Sequence, residues 1–175
     1  KLSKPVSHKF KEEKNNIILI GKTFGHLDQS CFLKEIFSIV DGKPPEINFI
    51  NEKNNGDIVL ELINKGYVSS VHDISNGGLI LALTEMAMGT RLGVKINKSK
   101  QLVDKIGYFF GEDQGRYLIE INSKNLKIVE NKLKNNSIYY ENIGITQKNY
   151  FEIEGEMKIN TNDLFNINNQ WYNNY

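Results

Sequence analysis

The stretch HDISNGG, residues 72–78, places an acid, small polar side chains and two glycines at the start of an apolar, helix-like segment. The first N–H groups of a helix have no partner within it and, together with the helix dipole, they favour an anion. Gly77 and Gly78 would let a ligand approach the backbone closely. A carboxylate beside a phosphate requires a divalent cation between them. The stretch therefore predicts a magnesium or nucleotide-phosphate site at Asp73, Ser75, Gly77 and Gly78, with Asp73 as the metal ligand.

A purely structural interpretation of this stretch stays open. Ser75 or Asn76 would cap the helix, Asp73 would brace the turn, and the glycines would allow the strand and the helix to pack closely. A lone histidine such as His72 is more often structural than a ligand. The helix that follows is apolar on nearly all sides, so Glu85 within it needs a hydrogen-bonding or charged partner.

A second polar motif, GEDQGR, spans residues 111–116 between the apolar segment IGYFF and the strand-like segment RYLIEI. Its carboxylate, amide and guanidinium groups could orient a polar ligand through hydrogen bonds. They could equally form a solvated turn with an internal salt bridge. Each of the two motifs adjoins a predicted strand, so they could meet at one edge of a sheet. The candidate residues here are Glu112, Asp113, Gln114 and Arg116.

Composition and the remaining reactive residues exclude several classes of protein. The 175 residues carry 22 basic and 21 acidic side chains, a balance that does not suggest a nucleic-acid or anionic-membrane partner. The three histidines lack the spacing of metal ligands, and Cys31 has no second cysteine with which to form a disulfide or a zinc site. Cys31 also has apolar helical neighbours, which favours packing over nucleophilic chemistry. We expect a cytoplasmic protein.

Strand-like and helix-like segments alternate along the chain and predict a mixed β-sheet covered by helices, of the α/β or α+β class. Strands are predicted at 17–20, 67–71, 92–96, 116–121 and 138–145, with a hairpin that turns at Gly155. Helices are predicted from Ser30 or Gln29 to Gly42 and at 56–66, 77–88, 99–110 and around 126–133. Residues 1–15 are predicted as a linker from a preceding domain, 16–160 as the domain itself, and 161–175 as a polar tail that includes a short helix.

HDISNGGLILALTEM and FFGEDQGRYLIEI together resemble the C-terminal domain of the aminoimidazole ribonucleotide synthetase superfamily. Within it, they are most similar to the phosphoribosylformylglycinamidine synthases. DQSCFLKEIF and the following GKPPEINFINEKNNGD extend the resemblance, which covers residues 17–146. Hydrogenase-maturation, selenophosphate and thiamine-phosphate enzymes of the superfamily share a version of the first motif but lack GEDQGR.

The resemblance implies an α+β, sandwich-like domain that flanks an ATP-binding-type domain in an ATP-dependent C–N ligase of purine synthesis. It implies the second of two such flanking domains, itself not catalytic, whose cleft would use the candidate residues of both motifs. It also implies ATP and Mg²⁺ as cofactors of the parent enzyme, with none required by this chain. The implied partners are the preceding domains, a glutaminase subunit, a small bridging subunit and a ribonucleotide substrate.

Two positions depart from the family pattern. Asn76 stands where the family usually has Asp, and Asp28 stands where it usually has Gly. The missing carboxylate at Asn76 weakens a metal site at this turn, although Asp73 is present. Two alternatives stay open: a purely structural domain that binds no ligand, and a related enzyme of hydrogenase maturation or selenophosphate synthesis.

Overall fold

A computed structural model of the chain describes residues 5–97 and 102–173. They form a seven-stranded sheet in the order β2-β4-β1-β5-β3-β6-β7, in which all neighbours are antiparallel except β3 and β6. The strands are β1 Asn16–Ile20, β2 Ser70–Asp73, β3 Leu92–Ile96, β4 Tyr117–Ile121, β5 Tyr140–Lys148, β6 Tyr150–Ile153 and β7 Met157–Asn160. The helices are α1 Cys31–Phe37, α2 Phe49–Asn64, α3 Gly78–Ala87, α4 Lys105–Phe110, α5 Ser123–Asn135 and α6 Thr161–Asn173.

The sheet is buried on both faces, as its central strand shows. Ile17 and Leu19 of β1 point into a core formed with α3 and α4, whereas Ile18 and Ile20 point into a core formed with α2 and α5. All four side chains are fully buried. Because strand side chains alternate between faces, a continuous apolar run is what a strand covered on both sides requires. The predicted mixed sheet covered by helices, of the α+β class, is confirmed.

The boundaries of three helices differ from the sequence prediction. Helix α2 begins at Phe49, seven residues before the predicted start, because the Asn48 side chain accepts a hydrogen bond from the Asn51 N–H and caps it. Helix α1 is capped by Ser30 as predicted but ends at Phe37, where Ser38 takes a left-handed conformation. Helix α4 begins at Lys105, and residues 99–101 of its predicted span lie outside the described residues.

Residues 7–15, called the strap below, lie against the domain and make many contacts with it. Phe10 is 3% exposed and belongs to the core beside α3. The buried carboxylate of Glu120 on β4 accepts hydrogen bonds from the Lys11 and Glu12 N–H groups and from the Asn15 side-chain amide. The strap is therefore packed into the domain, and its predicted role as part of a linker from a preceding domain stays a prediction.

The chain ends in regular structure over most of the predicted tail. Met157–Asn160 pairs with Tyr150–Ile153 as the predicted hairpin around Gly155, and α6 follows directly. Helix α6 therefore occupies Thr161–Asn173 of the tail. Within the described ranges, no helix is both long and apolar enough to cross a membrane.

Candidate functional site

The structure brings the two polar motifs together at one edge of the sheet. The end of β2 and the start of β4 are antiparallel neighbours, and Asp73 pairs with Tyr117. The Ile74 N–H donates to the Arg116 carbonyl at 2.9 Å, so the turn after β2 runs alongside the GEDQGR segment. Convergence of the motifs follows from the antiparallel pairing, because the end of one strand then meets the beginning of the other.

Glu112 connects the motifs through its side chain. One carboxylate oxygen, Oε1, accepts hydrogen bonds from the Gly77 N–H at 2.7 Å and from the Cys31 N–H at 2.8 Å. Gly77 is the N-cap of α3, and Cys31 is the first residue of α1. The anion predicted at the start of α3 is therefore supplied by the protein itself.

Asp113 and Arg116 organise the loop that follows β1. The buried Asp113 carboxylate accepts hydrogen bonds from three consecutive N–H groups, those of Phe24, Gly25 and His26, at 3.0–3.2 Å. The Arg116 side chain is fully buried and donates to the Thr23 hydroxyl and to the carbonyls of residues 111 and 113. Burial lowers the pKa of Arg116, and the negative charge of Asp113 opposes that shift. Both side chains are engaged within the protein, so they support the site rather than line it with free polar groups.

The paired glycines are explained by backbone geometry and packing. Gly77 and Gly78 have φ angles of 76° and 69°, which favour glycine. A Cβ on Gly78 would lie 2.7 Å from the Gly111 carbonyl oxygen, so α3 could not pack this closely with any other residue there. No side chain caps α3, and the expectation that Ser75 or Asn76 does so is wrong, because the left-handed Gly77 occupies the N-cap position.

Two adjoining cavities lie at this edge, and Glu52 and Gln114 line both. The smaller one, about 200 Å³, is called the turn cleft, and the larger one, about 510 Å³, is called the loop cleft. The turn cleft is lined by Asp73, Ser75, Asn76, Glu112, Arg116 and Tyr117, among others. The loop cleft includes Lys22, Phe24, His26, Ile47, Asn51 and Asn55. The candidate residues that line the turn cleft are thus Asp73, Ser75, Glu112, Gln114 and Arg116. Asp113 lines the loop cleft instead, and Gly77 and Gly78 are buried behind the turn.

The sequence analysis missed the contribution of α2 and of the loop after β1. Asn55 donates from its side chain to the Gly115 carbonyl at 2.8 Å and holds α2 against the second motif. Lys22 lies 5.4 Å from the centre of the Phe24 ring, which is 70% exposed. An aromatic residue in the polar loop GKTFGH was a sequence signal that could have indicated this surface.

Asp73 lies at the rim of the turn cleft with a largely exposed carboxylate. Burial raises the pKa of Tyr117, and the nearby negative charges of Glu52 and Asp73 raise it further. Within residues 5–97 and 102–173, no group of three or more His, Cys, Asp or Glu side chains is placed to hold a metal ion. The donors among the described residues therefore do not by themselves fit a resident magnesium ion, which would need further oxygen ligands at Asp73.

Two other residues singled out from the sequence have structural partners. The Glu85 carboxylate lies 2.8 Å from His72 Nε2, which supplies the partner that this acid requires on an apolar helix. Burial raises the pKa of the Cys31 thiol, and the negative charge of Glu112 adds to the effect. The raised pKa disfavours the thiolate, as expected for a cysteine that is not a nucleophile.

The fold and the site define an α+β domain whose polar edge is organised by a glycine turn and an acidic loop. The chain belongs to the family of AIR synthase related proteins, C-terminal domain, whose model matches residues 13–154.

Within this family, its relatives include the phosphoribosylformylglycinamidine synthase subunit PurL of Pelagibacter ubique, with 42% identity over 170 residues. That match covers 97% of this chain but only 23% of the relative, so the chain spans about a quarter of the length of the proteins it matches. The sequence-based resemblance to these synthases is confirmed.

Solved structures give the same fold. PurL of T. maritima, complexed with FGAR, superposes with a TM-score of 0.74 at 15% identity, covering 91% of this chain and 29% of that one. The hydrogenase maturation protein HypE superposes with a TM-score of 0.58 at 12% identity, covering 82% of this chain and 47% of that one. The chain therefore shares its fold with both of these structures, and its sequence identity is to the synthase subunits.

Proposed function

We propose that this chain is the last, second-copy flanking domain of a cytoplasmic phosphoribosylformylglycinamidine synthase, the ATP-dependent ligase of purine synthesis. The observation that carries the proposal is the 42% identity to a PurL subunit, which extends over nearly the whole chain but only a quarter of that relative. In the parent enzyme, ATP with Mg²⁺ would transfer a phosphoryl group to an amide oxygen of the ribonucleotide substrate, with release of ADP. Ammonia from a glutaminase subunit, delivered with the help of a small bridging subunit, would then displace that oxygen as phosphate and leave the amidine.

The contribution of this chain is one wall of a ligand cleft and not the reacting groups. Asp73, Ser75 and Gln114 are exposed at the turn cleft, where they can donate to or accept from a polar ligand. Gly77, Gly78, Glu112, Asp113 and Arg116 hold these residues in place through the contacts described above. Complexes of T. maritima PurL with ATP and with ADP are consistent with nucleotide use by the parent enzyme.

The domain also presents an apolar surface suited to the rest of the synthase. Seven large apolar side chains within residues 24–50 are more than half exposed; they are called the apolar strip and comprise Phe24, Ile36, Phe37, Val40, Ile47, Phe49 and Ile50. Exposed apolar surface on this scale is typical of an interaction site. Phe24 and Ile47 also line the loop cleft, so a partner seated on the strip would complete that cleft.

Calorimetric titration with magnesium ADP, magnesium ATP and the ribonucleotide substrate tests the cleft. We expect micromolar binding of one of these ligands by the chain and its loss in Asp73→Ala. Asp163→Ala is the matched control, since Asp163 is an exposed acid in the first turn of α6, far along the chain from both motifs. Binding that is equal in both variants would refute the role of Asp73.

Binding to a truncated PurL of Pelagibacter ubique, lacking the segment that matches this chain, tests the apolar strip. We expect the double variant Ile36→Ser, Phe37→Ser to bind at least tenfold more weakly. Ile167→Ser is the control, because Ile167 is 60% exposed on α6, outside the strip. Equal weakening by both changes would show that the strip is not the contact surface.

A purely structural role of the two motifs is the second candidate, and one observation favours it. The polar groups of Glu112, Asp113 and Arg116 all bond within the chain, and packing accounts for both glycines. The titration separates the two candidates. A purely structural domain would bind no ligand alone, and Asp73→Ala would not change the binding measured after addition of the truncated PurL.

A further inference from the structure

We propose that Glu112 is a specificity-determining residue: its carboxylate occupies the anion position at the start of α3 and thereby keeps phosphate out of the turn. Ligand groups that enter the turn cleft are then neutral or cationic. The inference refines the proposed function, because it concerns the same cleft, but its test requires neither ligase activity nor nucleotide binding.

The first observation is that two N–H groups of the turn, those of Gly77 and Gly78, already have acceptors within the protein. Gly77 N–H donates to Glu112 Oε1 at 2.7 Å, and Gly78 N–H donates to the Ser75 carbonyl at 3.1 Å. The same Glu112 oxygen accepts from the Cys31 N–H at the start of α1. A phosphate that reached these groups would have to displace a carboxylate held by two charge-assisted hydrogen bonds.

The second observation is the charge of the cavity wall. Glu52, Asp73 and Glu112 are the carboxylates that line the turn cleft, and Arg116 is the cation among the described residues that line it. The Arg116 side chain is fully buried, with its N–H groups directed to partners within the protein. The cleft wall is therefore acidic, and an anionic ligand group would meet like charges there.

The position of Lys22 indicates how a ligand would be oriented in the two cavities. Lys22 is exposed and lines the loop cleft, and its ammonium nitrogen lies 5.4 Å from the centre of the Phe24 ring. The anionic end of a ligand that spans both cavities would lie toward Lys22, and its neutral end would lie in the turn cleft. This orientation is opposite to the one that the glycine turn alone predicts.

Anion rescue of thermal unfolding tests the role of Glu112. The experiment compares the 175-residue chain with Glu112→Ala and Glu112→Gln in sodium chloride, formate and phosphate at equal ionic strength. We expect Glu112→Ala to lower the melting temperature by roughly 10 °C, because two N–H groups at helix starts lose their acceptor. We expect formate at about 100 mM to restore at least half of that loss, with saturation, since a small anion can replace the carboxylate.

Two matched variants distinguish rescue from general salt stabilisation. Glu112→Gln keeps an oxygen in place, so it should show a smaller loss and no saturable response to formate. Phe10→Ala is destabilised at a site with no anion, and formate should not restore its stability. Wild type should gain no more from phosphate than from chloride.

Two results would overturn the proposal. Saturable stabilisation of the wild type by phosphate would mean that the turn accepts an anion despite Glu112. Absence of formate rescue in a folded Glu112→Ala variant would mean that the carboxylate does not act as the resident anion. If no nucleotide binds in the calorimetric experiment, the expected formate rescue and the expected lack of a phosphate effect stay the same. The proposal for Glu112 and the proposed function can therefore be refuted independently.

Discussion

Replacing Phe10 by Ala tests whether the strap is part of the folded domain. Phe10 is 3% exposed and packs in the core beside α3, and its N–H donates to the Met86 carbonyl at 3.0 Å. Removing a buried phenyl ring costs about 3–5 kcal/mol through lost burial and the cavity left behind. For a chain of this size, a loss of about 4 kcal/mol lowers the melting temperature by roughly 8–16 °C.

Phe24→Ala is the matched control, because the same ring is removed from a side chain that is 70% exposed. A surface change of this kind is expected to alter stability by no more than about 0.5 kcal/mol. The assay is urea unfolding monitored by circular dichroism. The free energies of unfolding of the two variants are compared provided that both have the same slope against urea concentration. If Phe10→Ala costs no more than Phe24→Ala, the strap is a loose linker and the packing described here is wrong.

Two further predictions test local features of the fold. Gly78→Ala should destabilise the chain by at least about 2 kcal/mol more than Gly155→Ala in urea unfolding, because both glycines have positive φ but only a Cβ on Gly78 would meet backbone atoms; equal effects would refute the packing argument. The hydrogen bond from Lys132 lowers the pKa of Glu61, so this pair contributes stability above the unfolded pKa of about 4.3, and the contribution is lost as pH falls through the lower folded value. The melting temperature of Lys132→Gln should therefore fall less between pH 7 and pH 3 than that of the wild type. An equal fall would show that the pair of Lys132 and Glu61 does not contribute to stability.

Apolar patterning predicted much of the fold, because the core strands and helices bury continuous or periodic apolar runs. The run at 17–20 gave β1, and the apolar segment after Gly77 gave α3, each nearly to the residue. The alternation around Gly155 gave the hairpin of β6 and β7.

The missed elements lack an apolar pattern of their own. The first turns of α2 contain NEKNN, and their helical structure depends on the Asn48 cap and on the packing of later residues. The strap is mostly charged, and its attachment depends on one apolar residue, Phe10, and on backbone bonds to Glu120, a residue more than a hundred positions away.

The sequence predicted which residues lie at the candidate site but not which groups their side chains contact. Sequence placed Asp73 and Glu112 at one edge, and the antiparallel pairing of β2 and β4 brings them there. Whether a carboxylate faces a ligand or a backbone N–H depends on tertiary contacts, which is why the bonds of Glu112 to residues 31 and 77 could not be foreseen. Glu52 comes from α2 and Lys22 from the loop after β1, and only tertiary packing brings these two elements to the site.

Exchange of the matching segment in PurL of Pelagibacter ubique for this chain tests the central proposal most directly. The measurement is the synthase activity of the purified chimera with the ribonucleotide, magnesium ATP and ammonium as nitrogen source. The proposal predicts activity within about tenfold of the parent. A tenfold difference in rate corresponds to about 1.4 kcal/mol of activation free energy, and a correct flanking domain should cost no more than that. A folded chimera that shows no activity, beside an active parent, would contradict the assignment of this chain as a domain of the synthase.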